Sequence, residues 1–253
     1  MASSKRVCIF VDGENLRHAI VDLFPYPIFD KKAYLPKTDW SILFDWITKE
    51  VAGIDAERIR TYWYVVRGID YAPNNLKQVC GSGILLEKLL RHNEEWATEM
   101  NVATTREKKE QVLHKFADFL YGNKEHMQRR FDGWTNIQDE ISQKCDAVEF
   151  RRAGAIRFDL IKQDLGMEKA VDVKLATDLI RLKDIYDIAI IVSGDQDYVP
   201  AVDAIKDFGK RTVNVAFLAS NGQVLPGGAR RLNQATDSNI EITHSDLKRY
   251  LSL

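Results

Sequence analysis

The chain has 253 residues, of which 45% are hydrophobic, 10% aromatic and 29% charged, a composition that excludes a disordered tail or a collagen-like fibre. Thirty-six basic side chains against thirty-seven acidic ones leave a formal charge of -1, so no global field draws the protein to nucleic acid, and any polyanion site must be local. Cys8, Cys80 and Cys145 lack C-x-x-C spacing, which argues against a disulfide framework or a zinc site, and no run approaches the ~20 apolar residues of a membrane span. A cytoplasmic protein with no membrane partner is expected.

Arg6 to Val11 (RVCIFV) reads as a buried strand closed by Asp12-Gly13. Leu16 to Phe24 and Trp40 to Val51 carry apolar residues at helical spacing, separated by a loop with Pro25, Pro27 and Pro36. Arg58 to Val66 reads as a second strand. From about Asn75 to Asp146 the pattern turns helical, with Leu85, Leu86, Leu89 and Leu90 on one side and a second stretch through Val112, Phe116, Phe119 and Leu120. Ala147 to Phe158 is expected to be extended, Val171 to Leu182 helical, and Ile188 to Val192 (IAIIV) is the most apolar strand candidate. Tyr198 to Phe208 reads as a helix, Thr212 to Phe217 and Asn239 to Thr243 as strands, and a helix closes the chain. The alternation predicts an α/β fold with a mainly parallel sheet and helices on both faces, one domain over residues 1–253 with a helical insertion at about 75–146.

In open parallel sheets ligands bind beyond the carboxyl ends of the strands. Two strand ends here are acidic: Asp12-Gly13-Glu14-Asn15, and Ser193-Gly194-Asp195-Gln196-Asp197 after IAIIV. Asp172 begins the helix preceding that strand, with Asp178 six residues later. Each acid alone has an ordinary role open to it, as a helix cap for Asp12, Asp172 or Asp197, or as a solvent-facing partner of Arg181 or Lys174 for Asp178. Collected at one sheet edge, such carboxylates repel one another unless a cation neutralises them, and an all-oxygen set selects Mg²⁺ or Mn²⁺. Ions of this kind activate water for phosphodiester cleavage.

Three ordered blocks, VDGENL (Val11 to Leu16), EKAVDVKLATDLIRL (Glu168 to Leu182) and IVSGDQDYVPAVDAIKDFGKRTVNVAF (Ile191 to Phe217), resemble the NYN domain, a branch of the PIN-like metal-dependent nucleases. The resemblance covers about residues 5–66 and 147–243 and says nothing of the insertion. It implies a PIN-like, Rossmann-like three-layer sandwich and an RNA-cleaving enzyme, an endoribonuclease, with Asp12, Asp172, Asp195 and Asp197 as catalytic residues and ligands of Mg²⁺ or Mn²⁺. It makes Asn15 an accessory polar group, gives Ser193 a carboxylate to orient or a phosphate to contact, and matches Asp178 to a further acidic position. Ala170 stands where the family often has glycine, and Gln196-Asp197-Tyr198 replaces the commoner Ser-Asp-Phe.

Arg151, Arg152 and the loop Gly227-Gly228-Ala229-Arg230-Arg231 are candidates for holding RNA phosphates. Ten Lys or Arg against nine Asp or Glu between Arg106 and Arg152 do not make a basic clamp. Arg129-Arg130 with Phe131 and Trp134 suits base stacking, or the core of a small helical body or subunit interface. Two rivals stand beside the ribonuclease. One is a non-catalytic RNA- or partner-binding protein of the same fold that uses the insertion as its interface, with itself or another protein. The other is a metal-dependent phosphotransfer enzyme such as a phosphatase with a nucleophilic aspartate, for which the D-G-E-N turn lacks D-x-D spacing although Asp195-x-Asp197 has it.

Overall fold

A computed structural model describes residues 4–24, 35–225 and 229–251. Pro25, Pro27, Gly227 and Gly228 lie outside the described residues. The chain divides into two compact units, the first of Met1–Val65, Trp134–Ala153 and Ala170–Leu253, the second of Val66–Gly133 and Gly154–Lys169. Strands β2 (Glu57–Ala72) and β3 (Val148–Asp159) and helix α6 (Arg106–Lys144) have residues in both.

The first unit is built on β1 (Arg6–Asp12), which pairs in parallel with β2 on one side and with β5 (Ile188–Val192) on the other. Beyond β5, β6 (Arg211–Leu218) continues the parallel sheet, and both β8 (Ser238–Thr243, parallel) and β7 (Val224–Leu225, antiparallel) pair with it. β3 lies beyond β2. Successive residues of a strand point to opposite faces, and β1 uses both. Val7, Ile9 and Val11 enter a core with Leu16, Ala19 and Ile20 of α1 (Gly13–Leu23), Trp40, Phe44 and Ile47 of α2 (Trp40–Ala52), and Leu247 of α10 (His244–Leu251). Phe10 packs on Tyr62 and Tyr186 across the other face, with ring centroids at 5.5 and 5.6 Å, and α7 (Val171–Arg181) covers that side through Leu175 and Leu179. The result is a three-layer, mainly parallel α/β sandwich of PIN-like type.

Gly13 follows β1 because nothing larger fits. A Cβ there would lie 2.5 Å from the Tyr64 carbonyl oxygen and 2.9 Å from Val65 Cγ1. β1 thus passes directly into α1 with no connecting loop.

The second unit joins the ends of β2 and β3 to helices, with α3 (Leu76–Cys80), α4 (Gly83–Leu90) and α5 (Glu94–Val102) each capped by a side chain at its start, from Asn75, Ser82 and Asn93. Val112, Phe116, Leu120, Met127 and Phe131 recur along one side of α6 and are buried, the spacing of a core-facing stripe. Trp96 meets Phe116 and Phe119 at 5.2 and 5.5 Å. Phe131 is therefore a core residue, and Trp134 is half-buried.

Three elements depart from the sequence reading. β2 runs six residues past Val66, to Ala72. β4 (Asp164–Lys169) pairs antiparallel with the outer half of β3. Ala229 to Arg231, read as loop, belong to α9 (Ala229–Ala235), which forms because Ala229 and Leu232, one turn apart, are both buried. Among the described residues no helix is long and apolar enough to cross a membrane.

Candidate active site

β1 has its sequence neighbour β2 on one side and β5 on the other. Chain connections diverge at such a point, and the crevice at the carboxyl ends of the strands is where parallel sheets of this kind hold ligands. Asp12 is the last residue of β1, and Ser193 follows β5 directly.

Asp12 is fully buried. Its Oδ1 accepts the Asn15 backbone N–H at 3.1 Å and caps α1. Its Oδ2 accepts Asn15 Nδ2 at 2.6 Å and the Ser193 hydroxyl at 2.9 Å, and the Tyr198 hydroxyl lies 3.2 Å away. The capping role and membership of the acidic cluster thus coexist in one residue. Gly194 N–H donates to Asn15 Oδ1 at 3.3 Å, so Asn15 joins the ends of both strands. Ser193 Oγ accepts the Asp195 N–H at 3.0 Å, and Asp195 Oδ1 accepts the Asp197 N–H at 2.9 Å, which starts a short 3₁₀ turn over Gln196–Tyr198.

That turn swings Tyr198 inward, where its hydroxyl reaches Asp172 Oδ1 at 2.8 Å while touching Asp12. A phenol carries one proton. It donates to one carboxylate and accepts from the other only when that carboxylate is protonated. Burial pushes the Asp12 carboxyl up to about 6, and Asp172 adds to the rise against the hydrogen bonds from Asn15, Ser193 and Tyr198. Asp195 is raised by burial and then by the charges of Asp197 and Asp172. Burial and the two aspartates together raise the Tyr198 phenol. Among the described residues no Lys, Arg or His pairs with any of the four carboxylates of Asp12, Asp172, Asp195 and Asp197. Among the described residues, too, no three acidic, histidine or cysteine side chains form a ready-made metal cage.

Asp172 is the second residue of α7, not its cap. The cap position is Ala170, which takes a left-handed backbone with φ of 72°, the conformation that glycine adopts at least cost. A glycine at this position would remove that strain.

Asp178 lies apart from the cluster in its bonding. It is fully buried, with Lys174 at 3.0 Å, Arg181 at 3.0 Å, the Tyr64 hydroxyl at 3.2 Å and a close pair with Arg151. Burial works against its ionisation, yet Arg151 and Lys174 hold its carboxyl below the usual range. Arg151 also pairs with Glu149 at 3.0 Å and lies 3.9 Å from the centre of the Tyr62 ring. Arg152 is held by Asp139 at 2.6 Å and by Gln138.

Arg230 and Arg231 are exposed on α9. Arg231 donates to Gln196 Oε1 at 2.7 Å, beside a cleft of about 690 Å³ bordered by Asp197, Asp203 and Gln234. Two residues of the site carried no assignment from sequence. Tyr198 stood out only as an aromatic at a helix start, and Asn214 of β6, fully buried, donates from Nδ2 to the Ser193 carbonyl at 3.1 Å and to Asn233 Oδ1 at 2.7 Å. A polar residue inside the apolar run TVNVAF was the available signal for Asn214.

A search of curated proteins gives no match. A solved structure of a Vibrio parahaemolyticus protein of unknown function is similar with a TM-score of 0.45 and 13% identity, over 96% of this chain and 95% of that one. A sequence model of the NYN domain matches residues 6–243. That span holds both strand ends, the α7 acids and the turn that carries Tyr198, and by it the chain belongs to the NYN domain family, within a nuclease superfamily.

Proposed function

We propose that this protein is a Mg²⁺- or Mn²⁺-dependent ribonuclease that hydrolyses RNA phosphodiester bonds within the strand. The observation that carries the reading is the uncompensated cluster at the carboxyl ends of β1 and β5, where the charge of Asp172 works against the ionisation of both Asp12 and Asp195 with no cationic side chain among the described residues to offset it. An all-oxygen donor set with this charge suits a hard divalent cation, and Asp12, Asp172, Asp195 and Asp197 are the residues to hold it. A bound ion supplies charge neutralisation, an activated water and stabilisation of the phosphorane-like transition state.

The rest of the work falls to side chains that fix the carboxylates. Asn15 and Ser193 hold Asp12 in one orientation, and the Asp195 side chain is locked by the Asp197 N–H. Locked acceptors need no reorganisation as charge develops. Gln196, Asp197 and Arg231 are exposed beside the site, so a strand can lie across it without threading an end, and Arg230 and Arg231 offer guanidinium groups to its phosphates. Three unpaired thiols, two of them buried, fit a reducing cytoplasm.

The test is incubation of the protein and its Asp195→Asn variant with labelled single-stranded RNA, tRNA and single-stranded DNA in Mg²⁺, Mn²⁺ or EDTA. Metal-dependent RNA cleavage that disappears in the variant is expected. Equal cleavage by the variant overturns the assigned acidic site, and none by the native protein with either metal overturns the ribonuclease reading and leaves the binding-protein alternative.

A further inference from the structure

The second unit contains a polar cleft of about 540 Å³ whose lining includes Asp70 and Tyr71 from β2, Lys124 from α6, Arg157 from β3, and Met167 and Lys169 from β4. Several cations elsewhere are held by an acid, as in Arg58 with Asp45, Arg91 with Glu87, Arg106 with Glu110 and Arg151 with Asp178. Lys124, Arg157 and Lys169 are all exposed, and none has an acidic partner among the described residues. They arrive from three separate elements and face a single acid, Asp70. Unpaired cations gathered in a concave surface raise the local concentration of anions.

The remaining lining suits a nucleobase. Tyr71 is half-buried and fixed edge-on against Phe158 at 6.3 Å, with its hydroxyl 3.0 Å from Gln128 Oε1. Lys124 Nζ stands 5.4 Å from the centre of the same ring. Met167 is 85% exposed at the rim. An aromatic platform beside cations is how single strands are held without sequence readout.

We propose that this cleft is a second RNA-binding site, in which Lys124, Arg157 and Lys169 hold backbone phosphates of a single strand and Tyr71 with Met167 contacts a base. The choice of RNA as the polyanion rests on the function proposed above. An acidic protein segment would need the same cations but would leave the Tyr71 and Met167 surfaces without a purpose.

The experiment compares the native protein with a Lys124→Gln/Arg157→Gln/Lys169→Gln variant and with a Lys77→Gln/Lys108→Gln/Lys109→Gln control, which removes the same charge from exposed positions outside this cleft. Binding of a fluorescent single-stranded RNA is read by anisotropy in EDTA over a range of KCl. Mn²⁺-dependent hydrolysis of bis(p-nitrophenyl) phosphate, too small to need an anchor, is read in parallel. The cleft variant is expected to lose about tenfold or more in affinity, and its log–log salt slope to shrink by about two, for three phosphate contacts to a single strand. Hydrolysis of the small diester stays unchanged and the control binds like the native protein. Equal affinity in cleft variant and native protein overturns the proposal, as does an equal loss in the control or a native protein that binds no RNA. Retained RNA-affinity loss with no diester hydrolysis by the native protein supports the cleft and sinks the nuclease reading.

Discussion

The Tyr198 hydroxyl lies 2.8 Å from Asp172 Oδ1, joining the turn after β5 to the first turn of α7. Because the same oxygen is 3.2 Å from Asp12 Oδ2, one phenol spans two carboxylates that oppose each other's charge. Phenylalanine in its place keeps the ring packing and removes the link. Tyr198→Phe is expected to lower stability in EDTA by about 1 kcal/mol, the net worth of one hydrogen bond, with nuclease activity retained. Urea unfolding checks the first part, and a variant as stable as the native protein would show that the hydroxyl contributes nothing.

Asp12 gives the cluster a pH dependence. Its carboxyl is pushed up to about 6 by burial and by Asp172, against about 3.9 in an unfolded chain. Between those values the folded protein holds a proton that the unfolded chain has lost, so metal-free stability falls as pH rises through about 4 to 6 and levels off above. A divalent cation competes with that proton. The rise in melting temperature caused by Mn²⁺ is therefore expected to be large at about pH 7.5 and to fade by about pH 5. A rise of equal size at both values would show that the ion does not bind at Asp12.

Asp178 should behave as a structural residue. Replacing it with Asn leaves Arg151, 15% exposed at its side chain, without its main counter-charge. Breaking a buried pair from one side costs about 3 to 5 kcal/mol, and Asp178→Asn is expected to fall at the lower end because the amide still accepts a hydrogen bond. Denaturant unfolding measures the loss. The variant should keep its metal affinity at a temperature where it is folded, and a stable Asp178→Asn protein with weakened Mn²⁺ binding would assign it to the metal site instead.

Ala170→Gly works in the opposite direction. The left-handed backbone at φ of 72° costs an alanine roughly 1 kcal/mol more than a glycine, and part of the gain returns as entropy of the unfolded chain. A net stabilisation of about 0.5 kcal/mol is expected, seen as a higher melting temperature. A lower one would mean that the Ala170 methyl makes contacts worth more than the strain.

Strands β1 and β5 were legible because their apolar residues are contiguous and end in acids, and both runs proved fully buried after the half-buried Arg6. β4 was not, since nearly all its residues are exposed and Asp164, Gly166 and Glu168 are poor strand formers; it exists by pairing with β3. The aspartates at the two strand ends were legible for the same reason as the strands. The partners of Asp178 were only half legible. Lys174 and Arg181 share its helix, whereas Arg151 is 27 positions away and Tyr64 is 114, distances that no local pattern encodes. Arg151 and Arg152, singled out as phosphate contacts, are paired with Asp178, Glu149 and Asp139, a pairing set by β3, α6 and α7 together.

The bond from Ser193 to Asp12 spans 181 positions, and Tyr198 reaches back 186. At a synthesis rate of about 5 to 20 residues per second, a growing chain displays Asp12 for on the order of ten seconds or more before either partner has been made. Throughout that interval the first aspartate has neither of its partners from beyond β5, and the acidic cluster does not exist. On the ribonuclease reading proposed above, the metal-holding set is complete only once both strand ends have been synthesised.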